Sequence, residues 1–121
     1  MPKIKPKTIG IVGSRRRDTD EDFRKVLEVF NSIYREGDKI VSGGCPLGGD
    51  KFAEIIAKSK GITITIHYPD WTIGKHAGFE RNTQIAEDAD ILIACCSEDR
   101  TGGTEDTVRK ALRLEKKVLY A

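Results

Sequence analysis

Five short apolar segments alternate with four amphipathic segments, and this alternation constrains the fold more than any other feature of the chain. The apolar segments are rich in β-branched residues and read KTIGIVG, DKIVSGG, ITITIHYP, DILIACC and VLYA. The segments between them begin near residues 18, 48, 76 and 103 and place apolar side chains at helical spacing. Strands joined by single helices need crossover connections, and right-handed crossovers build a parallel sheet. The sequence therefore predicts an α/β fold, a Rossmann-like doubly wound parallel sheet of about five strands with helices on both faces.

Length and composition limit the class of protein. The chain has 121 residues, of which 38% are hydrophobic and 33% charged, enough to bury a core without disulfides or metal. We expect one domain over residues 1–121. No apolar run approaches the roughly 18 residues of a membrane span, and the first ten residues are too short and too interrupted by proline for a secretory signal. We therefore expect a cytoplasmic protein with no membrane partner.

The cysteines and the net charge argue against several other classes. Cys45, Cys95 and Cys96 cannot all pair internally, and the last two are adjacent in an apolar run, which fits reduced thiols. Metal-ligand spacing is absent, so we expect no metal and no resident cofactor. A net charge of +2 is too small to indicate nucleic acid, although the arginines at 15–17 form one basic cluster.

The loops that follow the first four strands carry the polar signals. In open parallel sheets, ligands bind beyond the carboxyl ends of the strands, where these loops converge. The loops read GSRRRD, SGGCPLGGD, HYPDWTIGKHAGFERN and SEDRTGGTE. Glycines let backbone N–H groups approach a phosphate closely, and guanidinium groups fork onto its oxygens. The predicted ligand-binding residues are Gly13, Ser14, Arg15, Gly43, Gly44, Gly48, Gly49, Asp50, Trp71, His76, Gly78, Arg81, Asn82, Gly102, Gly103 and Thr104.

The turn formed by Gly102, Gly103 and Thr104 directly precedes the fourth predicted helix. A helix start leaves several N–H groups without partners and carries the positive end of the macrodipole, so it suits an anion. The same residues also suit a plain turn with a threonine cap. Convergence with the other three loops favours the anion site, and we expect Arg15 and Arg81 to be exposed there.

Individual side chains leave alternatives open. Asp50 follows two glycines and fits a helix cap, an acceptor for a ribose hydroxyl, or both. Trp71 fits either a core position or a lid that stacks on a base. Ser14 lacks the Gly-x-Ser-x-Gly context of a nucleophile, so we interpret it as a hydrogen-bond donor to the ligand. His76 is interpreted as a site residue and His67 as structural.

Five motifs in fixed order resemble a known superfamily. GSR, SGG with a following GGD, HAGFERN, ADILIA and TGGT together resemble the SLOG superfamily, most closely the small bacterial and phage family labelled YspA, cpYpsA-related SLOG. The resemblance covers about residues 8–120. The superfamily includes the Lonely Guy phosphoribohydrolases, the ligand-sensing domains of some antiphage NAD-degrading proteins, and DNA-processing protein A. It implies a nucleotide or nucleotide-derived ligand whose phosphate or phosphoribose lies on the Gly102, Gly103 and Thr104 turn.

One position departs from the enzymes of that superfamily. The phosphoribohydrolases have an arginine that corresponds to Arg81 and a Gly-Gly-x-Gly-Thr-x-x-Glu motif whose essential glutamate position holds Thr107 here. Glu105 and Asp106 are neighbours, but on a helix they are rotated from that position by about 200° and 100°. Hydrolysis of an N-glycosidic bond needs a carboxylate. The sequence therefore predicts a protein that binds a small molecule and acts as a sensor or as a nucleotide-processing module. No catalytic residue is assigned.

Two other functions remain open. The first is hydrolysis of a nucleotide N-glycosidic bond, with Glu105, Asp106 or Asp50 in place of the missing carboxylate and Arg81 as a further catalytic candidate. The second is nucleic-acid handling by analogy with DNA-processing protein A. A nucleic-acid protein should show a basic stripe, and the sequence offers only the arginines at 15–17 and scattered lysines, so we do not expect nucleic acid as the partner.

The first predicted helix bears on assembly. Its segment FRKVLEVFNSIY has apolar residues over more than a narrow stripe, with Val29 off the main face. The resemblance to the SLOG superfamily also implies self-association, because its members commonly associate through helices beside the ligand site. We therefore expect a homodimer or a larger homo-oligomer.

Overall fold

A computed structural model describes residues 5–74 and 76–121 of the chain. Its parallel sheet has the strand order β3-β2-β1-β4-β5. The strands are Thr8–Gly13 (β1), Lys39–Ser42 (β2), Ile64–Ile66 (β3), Ile91–Cys95 (β4) and Lys117–Tyr120 (β5). The helices are Asp20–Ile33 (α1), Gly49–Lys60 (α2), Ala77–Asp88 (α3) and Gly103–Arg113 (α4), with a short 3-10 turn at Trp71–Ile73. The predicted α/β fold is confirmed.

Helices cover both faces of the sheet. One core contains side chains of α1 and α2 packed against Ile9 and Ile11, and the other contains side chains of α3 and α4 packed against Val12 and Leu92. Burial on both faces explains why the central strands read as continuous apolar runs instead of alternating patterns. The helical residues buried in the two cores include Val26, Phe30, Phe52, Ile56, Ile85, Ala86, Val108 and Ala111. Within the described ranges, no helix is long and apolar enough to cross a membrane.

The broad apolar surface of α1 packs inside the fold. Val29 is partly buried and packs against the same core as Val26 and Phe30. None of the exposed large apolar side chains found among the described residues belongs to α1. The argument for self-association from the apolar residues of α1 is therefore wrong, because these residues already pack in the core, while the homo-oligomer itself stays a prediction.

The amino ends of β1 and β2 are tied together by Asp38. Its Oδ1 accepts a hydrogen bond from the Lys7 backbone N–H at 2.9 Å, and its Oδ2 accepts one from the Arg35 N–H at 2.9 Å. The Lys7 ammonium lies 2.5 Å from the same Oδ2. Burial favours the neutral form of Asp38, but its hydrogen bonds and the charge of Lys7 outweigh burial and lower its pKa. This tie lies at the sheet edge opposite the carboxyl ends of the strands.

Candidate functional site

The carboxyl ends of β1 and β4 enclose a cavity of about 230 Å³. These strands are neighbours in the sheet, yet the chain leaves them toward opposite edges. Such a switch point opens a crevice between the two loops, which is where ligands bind in doubly wound folds. The cavity is lined by Val12, Gly13, Ser14, Arg15, Arg16, Cys45, Asp50, Arg81, Asn82, Ile85, Thr101, Gly102, Gly103, Thr104 and Thr107.

The structure brings many of the predicted ligand-binding residues to this cavity. They come from all four predicted loops, although the third loop contributes only through the first turns of α3. The predicted residues in the lining are Gly13, Ser14, Arg15, Asp50, Arg81, Asn82, Gly102, Gly103 and Thr104. Their role in binding stays a prediction. Those outside the lining are Gly43, Gly44, Gly48, Gly49, Trp71, His76 and Gly78.

Gly48 and Gly49 are required by the backbone of the fold. A Cβ at Gly49 would overlap the Gly13 N and Val12 C atoms and lie 2.6 Å from Gly13 Cα. Gly48 has a φ of +76°, and a Cβ there would overlap the carbonyl oxygen of Ser14. These two glycines therefore let the start of α2 approach the end of β1, which places Asp50 beside the cavity.

The aromatic and histidine residues of the third loop lie away from the cavity wall. Trp71 is 63% exposed, and its ring edge approaches Gly78, where a Cβ would lie 3.4 Å from Trp71 Cη2. His76 is exposed, with Nε2 3.9 Å from a carboxylate oxygen of Glu80. Trp71 is therefore not a core residue. The interpretation that it stacks on a base stays a prediction.

The three arginines at 15–17 do not act as one basic cluster. Arg15 is exposed, as expected, and lines the cavity. Arg17 turns toward the end of the chain, where it donates to Cys96 O at 3.0 Å and Ala121 O at 2.8 Å and pairs with Asp22. The cluster that the sequence predicted is thus divided, and only Arg15 and Arg16 reach the cavity.

Arg16 is a cavity residue that the sequence reasoning missed. Its guanidinium donates to both oxygens of Asp99, at 2.8 and 2.9 Å, and to Thr101 Oγ1 at 2.9 Å. The hydrogen bonds that Arg16 donates to Asp99 raise the pKa of Arg16 and lower the pKa of Asp99. This contact joins the loop after β1 to the loop after β4. The signal available in the sequence was an arginine in the first loop and an aspartate in the fourth.

Arg81 is held more firmly than predicted. Its side chain is partly buried, with Nη1 donating to Gly43 O at 2.8 Å and Nε donating to Asn82 Oδ1 at 2.8 Å. The expectation that Arg81 is freely exposed is therefore wrong. Arg81 nevertheless lines the cavity.

Asp50 does not cap α2, so that sequence interpretation is also wrong. The N-cap is Gly48, which makes no side-chain cap, and Asp50 lies in the first turn of the helix. Its residue exposure is 7%, with Oδ2 accepting from Cys45 N at 3.1 Å and Oδ1 3.0 Å from Ser42 Oγ. Burial raises the pKa of Asp50 more than the Cys45 N–H and the charge of Arg81 lower it.

The two carboxylates of α4 are engaged outside the cavity lining. Glu105 pairs with Arg100 through contacts of 2.7 and 3.0 Å, and this hydrogen bonding lowers the pKa of Glu105. Asp106 accepts from Asn82 Nδ2 at 3.1 Å and lies 3.0 Å from the Lys110 ammonium. Thr107, in contrast, lines the cavity, is 1% exposed and donates to Gly103 O at 3.1 Å.

Solved structures with a similar fold are known, whereas no protein-family model and no curated protein matches the sequence. The molybdenum cofactor binding protein from the phototrophic bacterium Rippkaea orientalis aligns with a TM-score of 0.73 and 22% identity, over 98% of this chain and 77% of that one. The molybdenum cofactor carrier protein from Chlamydomonas reinhardtii aligns in two structures, with TM-scores of 0.73 and 0.72 and identities of 22% and 23%. Both alignments cover 96% of this chain and 76% of that protein. This likeness shows a shared Rossmann-like fold, while membership of the YspA family stays a prediction.

Proposed function

We propose that the cavity binds the phosphate or phosphoribose end of a nucleotide or nucleotide-derived ligand, and that the protein acts by binding and does not catalyse a reaction on the ligand. The observation that carries the proposal is the convergence of an open helix start and two guanidinium groups, those of Arg15 and Arg81, at one polar cavity on the switch point. The exposed guanidinium of Arg15 and the guanidinium of Arg81, which is fixed by hydrogen bonds, together suit a multiply charged oxyanion.

The start of α4 supports the phosphate end of the proposal. The N-cap Gly102 has a φ of +94° and provides no side-chain hydrogen bond to the first turn. Gly102 and Gly103 are both exposed at the cavity. First-turn N–H groups without a side-chain partner are therefore available to an anion, and the helix dipole favours negative charge there.

The size of the cavity indicates which part of the ligand it holds. Pockets that enclose a whole drug-sized ligand have volumes of roughly 300 to 1,000 Å³, and this one has about 230 Å³. The volume fits a phosphate with its sugar better than an entire nucleotide. We therefore place the phosphoribose in the cavity and the ring system of the ligand outside it.

The carboxylates of α4 favour binding over hydrolysis. Glu105 and Asp106 are paired with Arg100 and Lys110, and the position that faces the cavity holds Thr107. A threonine hydroxyl carries no charge near neutral pH, so it does not stabilise the positive charge that develops on the sugar when an N-glycosidic bond breaks. Asp50 is the one carboxyl group in the described cavity lining.

Calorimetric titration with a defined ligand panel tests the proposal. AMP and ribose 5-phosphate should bind, adenosine should not, and inorganic phosphate should compete with AMP. Arg15→Ala should weaken AMP binding, with Arg24→Ala, an exposed arginine of α1, as the matched control. Equal binding of adenosine and AMP would contradict the phosphate site.

The panel should also contain the molybdenum cofactor. Two of the proteins with a similar fold bind or carry this cofactor. We propose it as the second candidate ligand for the same cavity. If it binds and none of the nucleotides or ribose 5-phosphate does, the nucleotide part of the proposal is wrong.

A further inference from the structure

The hydroxyl group of Ser42 lies within hydrogen-bond distance of two oxygen atoms, but it has only one proton to donate. Its Oγ is 2.6 Å from the carbonyl oxygen of Ile11 and 3.0 Å from Oδ1 of Asp50. A serine hydroxyl donates one hydrogen bond, and a backbone carbonyl can only accept. The shorter contact therefore requires the Ser42 proton, because two oxygens at 2.6 Å with no proton between them repel each other.

The contact between Asp50 and Ser42 is then satisfied by a proton on Asp50. With Oδ1 protonated, Asp50 donates to Ser42 Oγ, which donates in turn to Ile11 O. The other oxygen, Oδ2, still accepts from Cys45 N at 3.1 Å. Every contact of the carboxyl group has one donor and one acceptor in this arrangement, whereas an ionised Asp50 would leave Ser42 one proton short.

The groups around Asp50 agree with this arrangement. Arg81 approaches from α3 but gives its hydrogen bonds to Gly43 O and Asn82 Oδ1. Glu54, on α2 itself, disfavours a second negative charge. Cys45, in the loop before α2, lines the same cavity. Arg15 and Arg16 face the same cavity from the loop after β1, where Arg16 is paired with Asp99. Burial raises the pKa of Asp50, in the direction that the hydrogen-bond geometry requires.

We propose that Asp50 is held as the neutral acid in the cavity wall and determines specificity by allowing the cavity to accept a doubly charged phosphate monoester. This inference rests on the proposed function for its ligand. A neutral Asp50 presents Oδ2 as an uncharged acceptor beside the guanidinium groups, so their positive charge is not cancelled. An ionised Asp50 would pair with Arg81 and repel the incoming dianion. The neutral acid also lacks the charge needed to replace the missing glutamate in glycoside hydrolysis.

The protonation state is measurable without any ligand. Carboxyl-carbon NMR of the Asp-labelled protein, followed against pH and assigned by the loss of one signal in Asp50→Asn, should place the midpoint of Asp50 above the ordinary aspartate value of about 3.9. A midpoint at or below that value overturns the inference, whatever the protein binds.

The ligand half is tested by titrating AMP into wild type and Asp50→Asn across the same pH range. The two proteins share the phosphate titration of AMP, so the ratio of their affinities isolates Asp50. If the neutral form is the one that binds, the ratio of wild-type to variant affinity falls by up to about tenfold per pH unit above the midpoint. A ratio that stays constant while the NMR signal titrates overturns the specificity role. Absence of AMP binding in both proteins contradicts the proposed function and leaves the NMR result on Asp50 standing by itself.

Discussion

Substitution of Gly49 by alanine should greatly lower the free energy of unfolding, because the neighbouring backbone atoms cannot move aside. A new Cβ would overlap Gly13 N and Val12 C and lie 2.6 Å from Gly13 Cα, against an ordinary carbon separation of about 3.5 to 4.0 Å. Those atoms are the backbone of the central strand, so relief requires α2 or β1 to shift by about 1 Å. Overpacking a core typically costs about 1 to 3 kcal/mol, and we expect about 3 kcal/mol here.

That cost is large against the total stability of a small domain, about 5 to 15 kcal/mol. It corresponds to a fall in melting temperature of about 10 °C, since 1 kcal/mol shifts a domain of this size by about 4 °C. The assay is thermal and urea denaturation followed by circular dichroism. The matched control is Gly103→Ala, whose Cβ would meet only Asn82 Nδ2, at 3.7 Å. An unchanged melting temperature for Gly49→Ala, or an equal loss in both variants, would refute the reasoning.

Four further outcomes follow from the site and the surface. Arg15→Ala should weaken AMP binding by about ten- to a hundredfold, with an unchanged melting temperature, because loss of a charge-assisted contact to phosphate has this magnitude and Arg15 is exposed. Arg81→Ala should lower both affinity and melting temperature, because Arg81 also holds Gly43 O; loss of affinity alone would show that this hydrogen bond does not contribute to folding. Wild-type protein incubated with nucleoside monophosphates should release no free base by chromatography, whereas turnover near one per second, an ordinary enzymatic rate, would show that Asp50 or another group supplies the missing carboxylate. The resemblance to the SLOG superfamily still leads us to expect a homo-oligomer in sedimentation at micromolar concentration, and a clean species at 13.5 kDa would contradict this.

The fold was accessible to sequence reasoning because burial on both faces leaves a strong pattern. Strands such as Ile91–Cys95 are continuously apolar, and each is separated from the next by an amphipathic helix of ordinary length. The same pattern located the loops, since the carboxyl edge of a parallel sheet follows from the order of its elements. The elements of the cavity could therefore be predicted before its geometry was known.

The roles of single residues were harder to predict from the sequence, because the same residue type occurs for several different structural reasons. Glycine is required where a backbone approaches a ligand and equally where it approaches another backbone, so Gly49 and Gly103 read alike in the sequence. Arg16 and Arg17 are adjacent in the sequence, but their side chains point in different directions because Arg16 pairs with Asp99 and Arg17 pairs with Asp22. Val29 lies off the main stripe of α1 but still contacts the core, since a helix on a sheet buries more than a narrow face.

The carboxylate of Asp38, at the edge of the sheet remote from the cavity, has a consequence for how this protein could be redesigned. It fastens the chain before β1, the end of α1 and the beginning of β2 through contacts with Lys7 and Arg35, and none of these residues lines the cavity. The contacts of Asp38 and the cavity thus lie at opposite ends of the same strands. Libraries that randomise Arg15 and Thr101, which are exposed at the cavity, should consequently yield many variants that still fold and from which proteins that bind other small molecules could be selected.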